Sequence, residues 1–355
     1  MELMVKNTSF ADEAVIDIYE SLIWTDRYDA IGDFEIFTTV DDYMLDTLID
    51  DRYLVSDESD HVMIIEDRQI KTDIETGNKL IVTGRSLESI LECRVIWGQR
   101  AISGNLQDRI EDLLNESIIA PTDADRAISN FVFEASTDPT ITVLTIDTQF
   151  TGENLYKAIQ QVCRANNIGF KIGLVNGQFV FTLYNGVDRS FDQIINPHVI
   201  FSPEFDNMLN SDYIESKRTL KTVSLVAGEG EGSERVMISV TAPNTVATNL
   251  NRREMYTDAR DISQTVDSVV IPLIDYEAQL SQRGIENLAD NTFIKSFEGQ
   301  VESTIMFVYG VDFFLGDIVQ IKNEYGIESR SRVTEMLNSQ DASGINQYPT
   351  FTKVD

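Results

Sequence analysis

The 355-residue chain carries 59 Asp plus Glu against 28 Lys plus Arg, a net charge of −31, which argues against docking on phosphate backbones or anionic surfaces, since cationic side chains drive such binding. With 42% hydrophobic residues, 18 Phe and 12 Tyr among them, the chain has the apolar area for globular folding, and disorder of the whole is not expected. Its length suits two to three domains of roughly 150 residues each.

Along the chain, period-two alternation comes first, at residues 15–19, 34–37, 62–70 and 80–83, with a turn expected at residues 75–78. Between these segments Met44, Leu45, Leu48 and Ile49 recur at helical spacing, so one short helix covers the sheet. The period then changes. Leu106, Ile110, Leu113, Leu114 and Ile118 form one helical stripe, and Leu155, Ile159, Val162 and Cys163 a second, with Thr151 as the expected N-cap and residues 167–169 as the stop. Asn176-Gly177 follows in GFKIGLVNGQFVFTLYNG, predicting a type I′ hairpin because both central residues need positive φ. Strands return at residues 213–217, 222–227 and 236–240, a helix is predicted from Asp275 to about Asn291, and strands resume from Phe297 to Met336.

Candidate chemistry is sparse. GEGEGS at residues 228–233 precedes a strand rather than a helix, and Glu229, Glu231 and Glu234 would repel phosphate, so it reads as a flexible acidic hairpin tip. His61 and His198 have no Cys, His or carboxylate at a metal-motif spacing, and Cys93 and Cys163 fall on apolar helix faces and read as core. The 26–35 run lacks calcium-loop ligand positions and reads as a polar loop entering a strand. No P-loop, G-x-S-x-G or C-x-x-C occurs, so no catalytic residue, cofactor or metal is assigned, although a carboxylate pair formed in space leaves no sequence signature. The N-terminus has no export signal, and no stretch approaches the ~18 apolar residues of a membrane span, so synthesis in the cytoplasm without stable membrane insertion is expected. In VDFFLGDIV, Phe313 and Leu315 share one parity and Phe314 the other, so a strand here buries both faces ahead of Gly316-Asp317. That makes Phe313, Phe314 and Leu315 candidate interface residues, with packing of Phe314 on its own domain the alternative.

Taken in order, residues 19–36, 61–70, 83–91, 226–235, 252–262 and 311–321 resemble siphophage tail-tip proteins related to the hub of contractile-phage baseplates, from Glu2 to about Met336. The resemblance implies a mainly β, α+β fold with two similar β-barrel domains and an α/β insertion region. It places a first barrel at 1–103, an α+β domain at 104–204, a second barrel at 205–242 and 296–340, an inserted helical region at 243–295 and a tail at 341–355. It also implies a non-enzymatic virion protein, a homotrimer at the distal end of the tail tube. Such a trimer adapts sixfold to threefold symmetry and forms a channel that DNA and tape measure protein traverse without specific binding. The implied neighbours are the distal tail protein and a tail fibre or spike. Larger relatives carry a C-terminal lysin or fibre-like extension, and this sequence ends at YPTFTKVD, so no such module is expected. The alternatives are a tail-associated peptidoglycan hydrolase and the hub of a contractile or bacteriocin-like particle.

Overall fold

The computed structural model describes residues 1–355 except 74–76, 209, 211, 233–234, 267, 299–305 and 355. Two compact units emerge, each assembled from separated pieces of chain. The first takes Met1–Ser89, Phe170–Ile214 and Lys295–Asp355, and the second takes Ile90–Gly169 and Glu215–Ile294. The fold is mainly β with helices, an α+β arrangement.

The first unit is organised by one sheet. Nine of its strands run in the spatial order Gly344–Lys353, Glu328–Asp341, Ser21–Arg27, Asp33–Thr39, Gly77–Ser86, Met63–Asp73, Tyr53–Val55, Leu3–Lys6, Asp12–Ile16, and each neighbouring pair is antiparallel. Ile318–Lys322 branches from Glu328–Asp341 and pairs in parallel with Ile200–Phe201. The expected alternation explains the inner wall: Phe34, Ile36 and Thr38 on one strand, and Leu80 and Val82 on another, face the interior. Asp41 caps the short helix Asp42–Thr47 by accepting from Met44 N at 2.7 Å, and Met44 and Leu48 enter the core, as the helical spacing predicted. Among the described residues of this unit, one apolar cluster gathers around Leu22, Trp24, Ile36 and Val82 and another around Phe201, Phe313, Val333 and Phe351.

In the second unit the helix Leu273–Ala289 lays Tyr276, Leu280 and Leu288 on a sheet of Val223–Ala227, Met237–Thr241 and Glu254–Asp258, with the core completed by Val226, Val240 and Ile262. Gln99–Asn105 pairs antiparallel with Thr145–Thr151, and the amphipathic helices Leu106–Leu114 and Leu155–Ala165 bury both expected stripes.

Several expectations need correction. The strand over 15–19 ends at Ile16, and Ile18 projects into solvent. The second stripe is capped by Asn154, whose side chain accepts from Lys157 N at 3.3 Å, rather than by Thr151, which instead ends a strand. Cys163 is buried, but Cys93 is exposed, because it closes a seven-residue 3₁₀ helix whose three-residue row from Leu87 through Ile90 climbs out of the core. Residues 344–353, read as part of a tail, form a strand that Glu328–Asp341 holds over most of its length. Of the expected turn at 75–78, Glu75 and Thr76 lie outside the described residues.

Candidate functional site

A groove of about 810 Å³ opens in the first unit, and its walls come from the 57–61, 185–187 and 308–317 segments together with positions on the strands Gly169–Val175, Gln178–Tyr184 and Gly344–Lys353. The 57–61 turn supplies Asp57, Ser59, Asp60 and His61. Tyr184 through Val187 form the floor. Val308 through Leu315 form the far wall, with Ile345 and Gln347 at the rim.

The far wall contains the VDFFLGD run, and its geometry departs from the strand that alternation predicted. Residues 308–317 form two consecutive turns: Val311 N and Asp312 N both donate to Val308 O, at 3.1 and 2.8 Å, and Asp317 N donates to Phe314 O at 3.1 Å. Gly310 and Gly316 adopt φ of +81° and +91°, which a strand does not tolerate and glycine does. The turns separate the candidate interface residues. Phe313 and Leu315 are buried, Phe313 edge-on to Phe201 with ring centroids 5.2 Å apart, whereas Phe314 is 40% exposed on the groove wall.

Asp317 fixes the corner. Its Oδ1 accepts from Val187 N at 2.6 Å, and its Oδ2 accepts from Arg189 Nε at 2.7 Å and Phe314 N at 3.0 Å, so one buried carboxylate sets both floor and wall. The approach is tight. A Cβ on Gly316 would lie 2.4 Å from the Tyr28 ring, and one on Gly186 would lie 1.9 Å from the Gly316 backbone.

Beneath the 57–61 turn lies a buried ionisable cluster that sequence spacing did not show. Asp26, expected in a polar loop, is instead fully buried on the Ser21–Arg27 strand, accepting from Trp24 Nε1 at 2.8 Å and from Ser59 Oγ at 2.8 and 2.9 Å. His61 Nδ1 stands 3.4 Å from Glu88 Oε1, an electrostatic contact without hydrogen-bond alignment, and Glu88 Oε1 also accepts from Ile172 N at 2.7 Å. Burial lifts the Asp26 carboxyl above its usual value, against the pull of His61, Ser59 and Trp24. For His61, burial alone would lower the pKa, but Glu88 and Asp26 together raise it; for Glu88, burial is overcome by His61 and the value falls. Burial also pushes Tyr184 and Tyr309 well above the normal phenol range, so both stay neutral.

Chemically, this arrangement compensates charge inside the unit. Ser59 Oγ engages Asp26 and not the imidazole, so the cluster contains no serine paired to a histidine base. Among the described residues, no group of three or more His, Cys, Asp or Glu is placed to hold a metal. His198 contacts Ser190 O through Nδ1 at 2.8 Å. In the acidic loop, Glu229 is anchored: its Oε2 accepts from Ser263 Oγ at 2.6 Å and Gln264 N at 3.3 Å, and its N donates to Tyr276 OH at 2.7 Å. Glu231 is exposed, and Glu234 lies outside the described residues.

The family model described as Siphovirus ReqiPepy6 Gp37-like protein matches residues 2–351. Among solved structures, a 43 kDa tail protein of prophage MuSo2 from Shewanella oneidensis is similar over 99% of this chain and 98% of its own, at 10% identity and a TM-score of 0.59. The tail protein from Neisseria meningitidis MC58 gives 14% identity and a TM-score of 0.57 over 99% and 96% of the two chains. Prophage tail protein gp18 from Listeria monocytogenes EGD-e gives 11% and 0.56 over 99% and 94%. These likenesses establish a shared fold from end to end. No curated protein matches by sequence.

Proposed function

The chain belongs to the siphovirus ReqiPepy6 Gp37-like family of tail proteins, and from that premise we propose that it is a structural, non-enzymatic component of the virion, the trimeric hub at the distal end of the tail tube. The observation that carries this reading is the family match over residues 2–351. The end-to-end fold shared with prophage tail proteins supports it. So do the apolar clusters around Trp24 and around Phe313 in the first unit, which suit the twin-barrel organisation expected of each copy.

In a ring of three such copies, six similar barrels meet a sixfold tube above and a threefold fibre or spike below, so symmetry adaptation is the task. The acidic balance belongs to the same proposal. A lumen lined by Asp and Glu repels a phosphate backbone, so DNA and tape measure protein pass without sticking. Phe314, exposed on the groove wall, is the interface residue in this reading, while Phe313 and Leu315 hold the wall's inner side in the core. The test is solution mass together with end-on images of the purified chain. Rings of three support the hub; a strict monomer at every concentration overturns it.

A further inference from the structure

We propose that the 188–198 loop of one copy is a preformed apolar plug whose Ile194 and Ile195 seat in the Phe314 groove of a second copy. The proposal rests on the ring reading above and names the two surfaces that would close the ring.

Ile194 and Ile195 are 96% and 87% exposed at the loop tip, beside a half-exposed Phe191. Flexible loops often show such exposure, but this loop is held at many points. Gln193 Oε1 accepts from Ile195 N and Asn196 N, both at 2.7 Å, while its Nε2 donates to Ser190 O at 3.2 Å and Asn196 O at 3.1 Å. Asn196 Nδ2 donates to Asp188 O at 3.0 Å, and Val199 N closes the base on Arg189 O at 3.0 Å. Such a tip has already lost the freedom that binding would otherwise cost, so its two side chains are presented ready for burial.

The groove offers a matching surface in Val308, Val311, Phe314 and Ile345, with Val311 70% and Ile345 51% exposed. Asp317 orients both halves, since its carboxylate binds Arg189 at the base of the plug and Phe314 N in the groove wall.

Charge selects the occupant. In a chain with 59 acids to 28 bases, each surface carries only one carboxylate in excess of its cations. Arg330 neutralises Asp188 at 2.7 Å and faces Asp192 at 3.4 Å on the plug, and Arg189 pairs with Asp317. On the groove rim the N-terminal ammonium pairs with Glu58 at 3.2 Å and Lys171 with Asp60 at 2.9 Å, leaving Asp57. Two copies at −31 each repel, and they can approach most closely where their charges nearly cancel and apolar groups protrude. Plug and groove are different surfaces, so the contact is heterologous and can propagate around a closed ring.

Mixed proteins carrying one introduced cysteine each test it, in a Cys93→Ser background because Cys93 is exposed, with the buried Cys163 left in place. Ile195→Cys mixed with Val311→Cys should form intermolecular disulfides in about tenfold excess over Ile195→Cys mixed with Val246→Cys, an exposed control, as proximity raises effective concentration; equal yields overturn the proposal. Separately, the double variant Ile194→Asp with Ile195→Asp removes no buried contact within the chain, so it should keep the wild-type far-UV circular dichroism spectrum and unfold cooperatively yet run as a monomer. A double variant that remains trimeric overturns the plug and leaves the ring reading standing, and it does so equally if that variant has lost binding to a different tail protein. A wild type that is monomeric throughout overturns the ring and the plug with it.

Discussion

Glu286 is almost fully buried on the helix Leu273–Ala289, with Gln161 Nε2 donating to Oε2 at 2.8 Å and Gln282 Nε2 to Oε1 at 3.0 Å. Burial lifts its pKa to about 7 against those donors and Arg283. Because the folded value is raised, the protonated form stabilises the fold: the contribution is full below the unfolded value near 4.5 and disappears as pH rises through about 7. Urea melts of wild type minus Glu286→Gln should therefore show the difference in stability falling by about 2 kcal/mol between pH ~5 and ~8; a flat difference would mean the carboxyl titrates normally. The Asp26, His61 and Glu88 cluster has a different window. Glu88, lowered, contributes stability that is lost as pH falls through its folded value; His61, raised, contributes stability that is lost as pH rises through its own. Glu88→Ala strands His61 and Ile172 N in the interior, and its thermal and urea stability near pH ~6 should drop by about 3 kcal/mol or more. A loss under ~1 kcal/mol would show that the 3.4 Å contact is energetically idle. None of these three residues was legible as a partner of the others, because a strand, a turn and a 3₁₀ helix bring them together only in the folded unit.

Elements whose signal is local were legible. The stripes ending at Ile118 and Cys163 form their helices because a 3.6-residue period needs only neighbours in the chain, although the first passes after Leu114 into a π-helical turn, Asn115–Ile119, that still buries Ile118. Asn176 and Gly177 adopt φ of +50° and +75°, as a type I′ turn requires, and Asn167 at +56° lies just past the helix stop. Non-local features were not legible. The pairing of Glu328–Asp341 with Ser21–Arg27 joins opposite ends of the chain, and nothing in either strand names its partner. The 308–317 wall departs from the strand that its alternating apolar residues predict, because the decisive contacts come from Val187, Arg189 and Tyr28. That wall gives a paired test. Gly316→Ala meets both the positive φ and the Tyr28 ring, so urea unfolding should show a loss of about 2–4 kcal/mol; Gly310→Ala meets positive φ in open space and should lose only about 1 kcal/mol. Equal losses would mean that Tyr28 gives way freely. Phe314→Asp, at an exposed position on the same wall, should leave a folded protein that no longer assembles. Insoluble protein would place Phe314 in the intrachain core instead.

At the scale of the whole molecule, a net charge of −31 must be reconciled with self-association. Each copy added to a ring brings further like charge, and the repulsion is long-ranged, so it is felt before any apolar contact forms and is weakened as salt shortens the screening length. If the contact between copies is apolar and close to local charge balance, as the plug and groove are, raising salt removes the opposing term and leaves the attractive one nearly intact. Assembly should therefore strengthen with ionic strength: the concentration at half-assembly, read by sedimentation or light scattering, should fall several-fold between about 20 and 300 mM NaCl. Interfaces held by ion pairs respond in the opposite direction, since screening weakens their attraction. Assembly that dissolves as salt rises would assign the contact to charged pairs outside the Phe314 groove, even if the ring itself has three members. The same field acts on the lumen. A ring whose wall is lined by Asp and Glu should show no retention of double-stranded DNA at about 20 mM salt, where phosphate binding is stronger than at higher ionic strength, whereas measurable binding to the assembled ring there would overturn the repulsive channel.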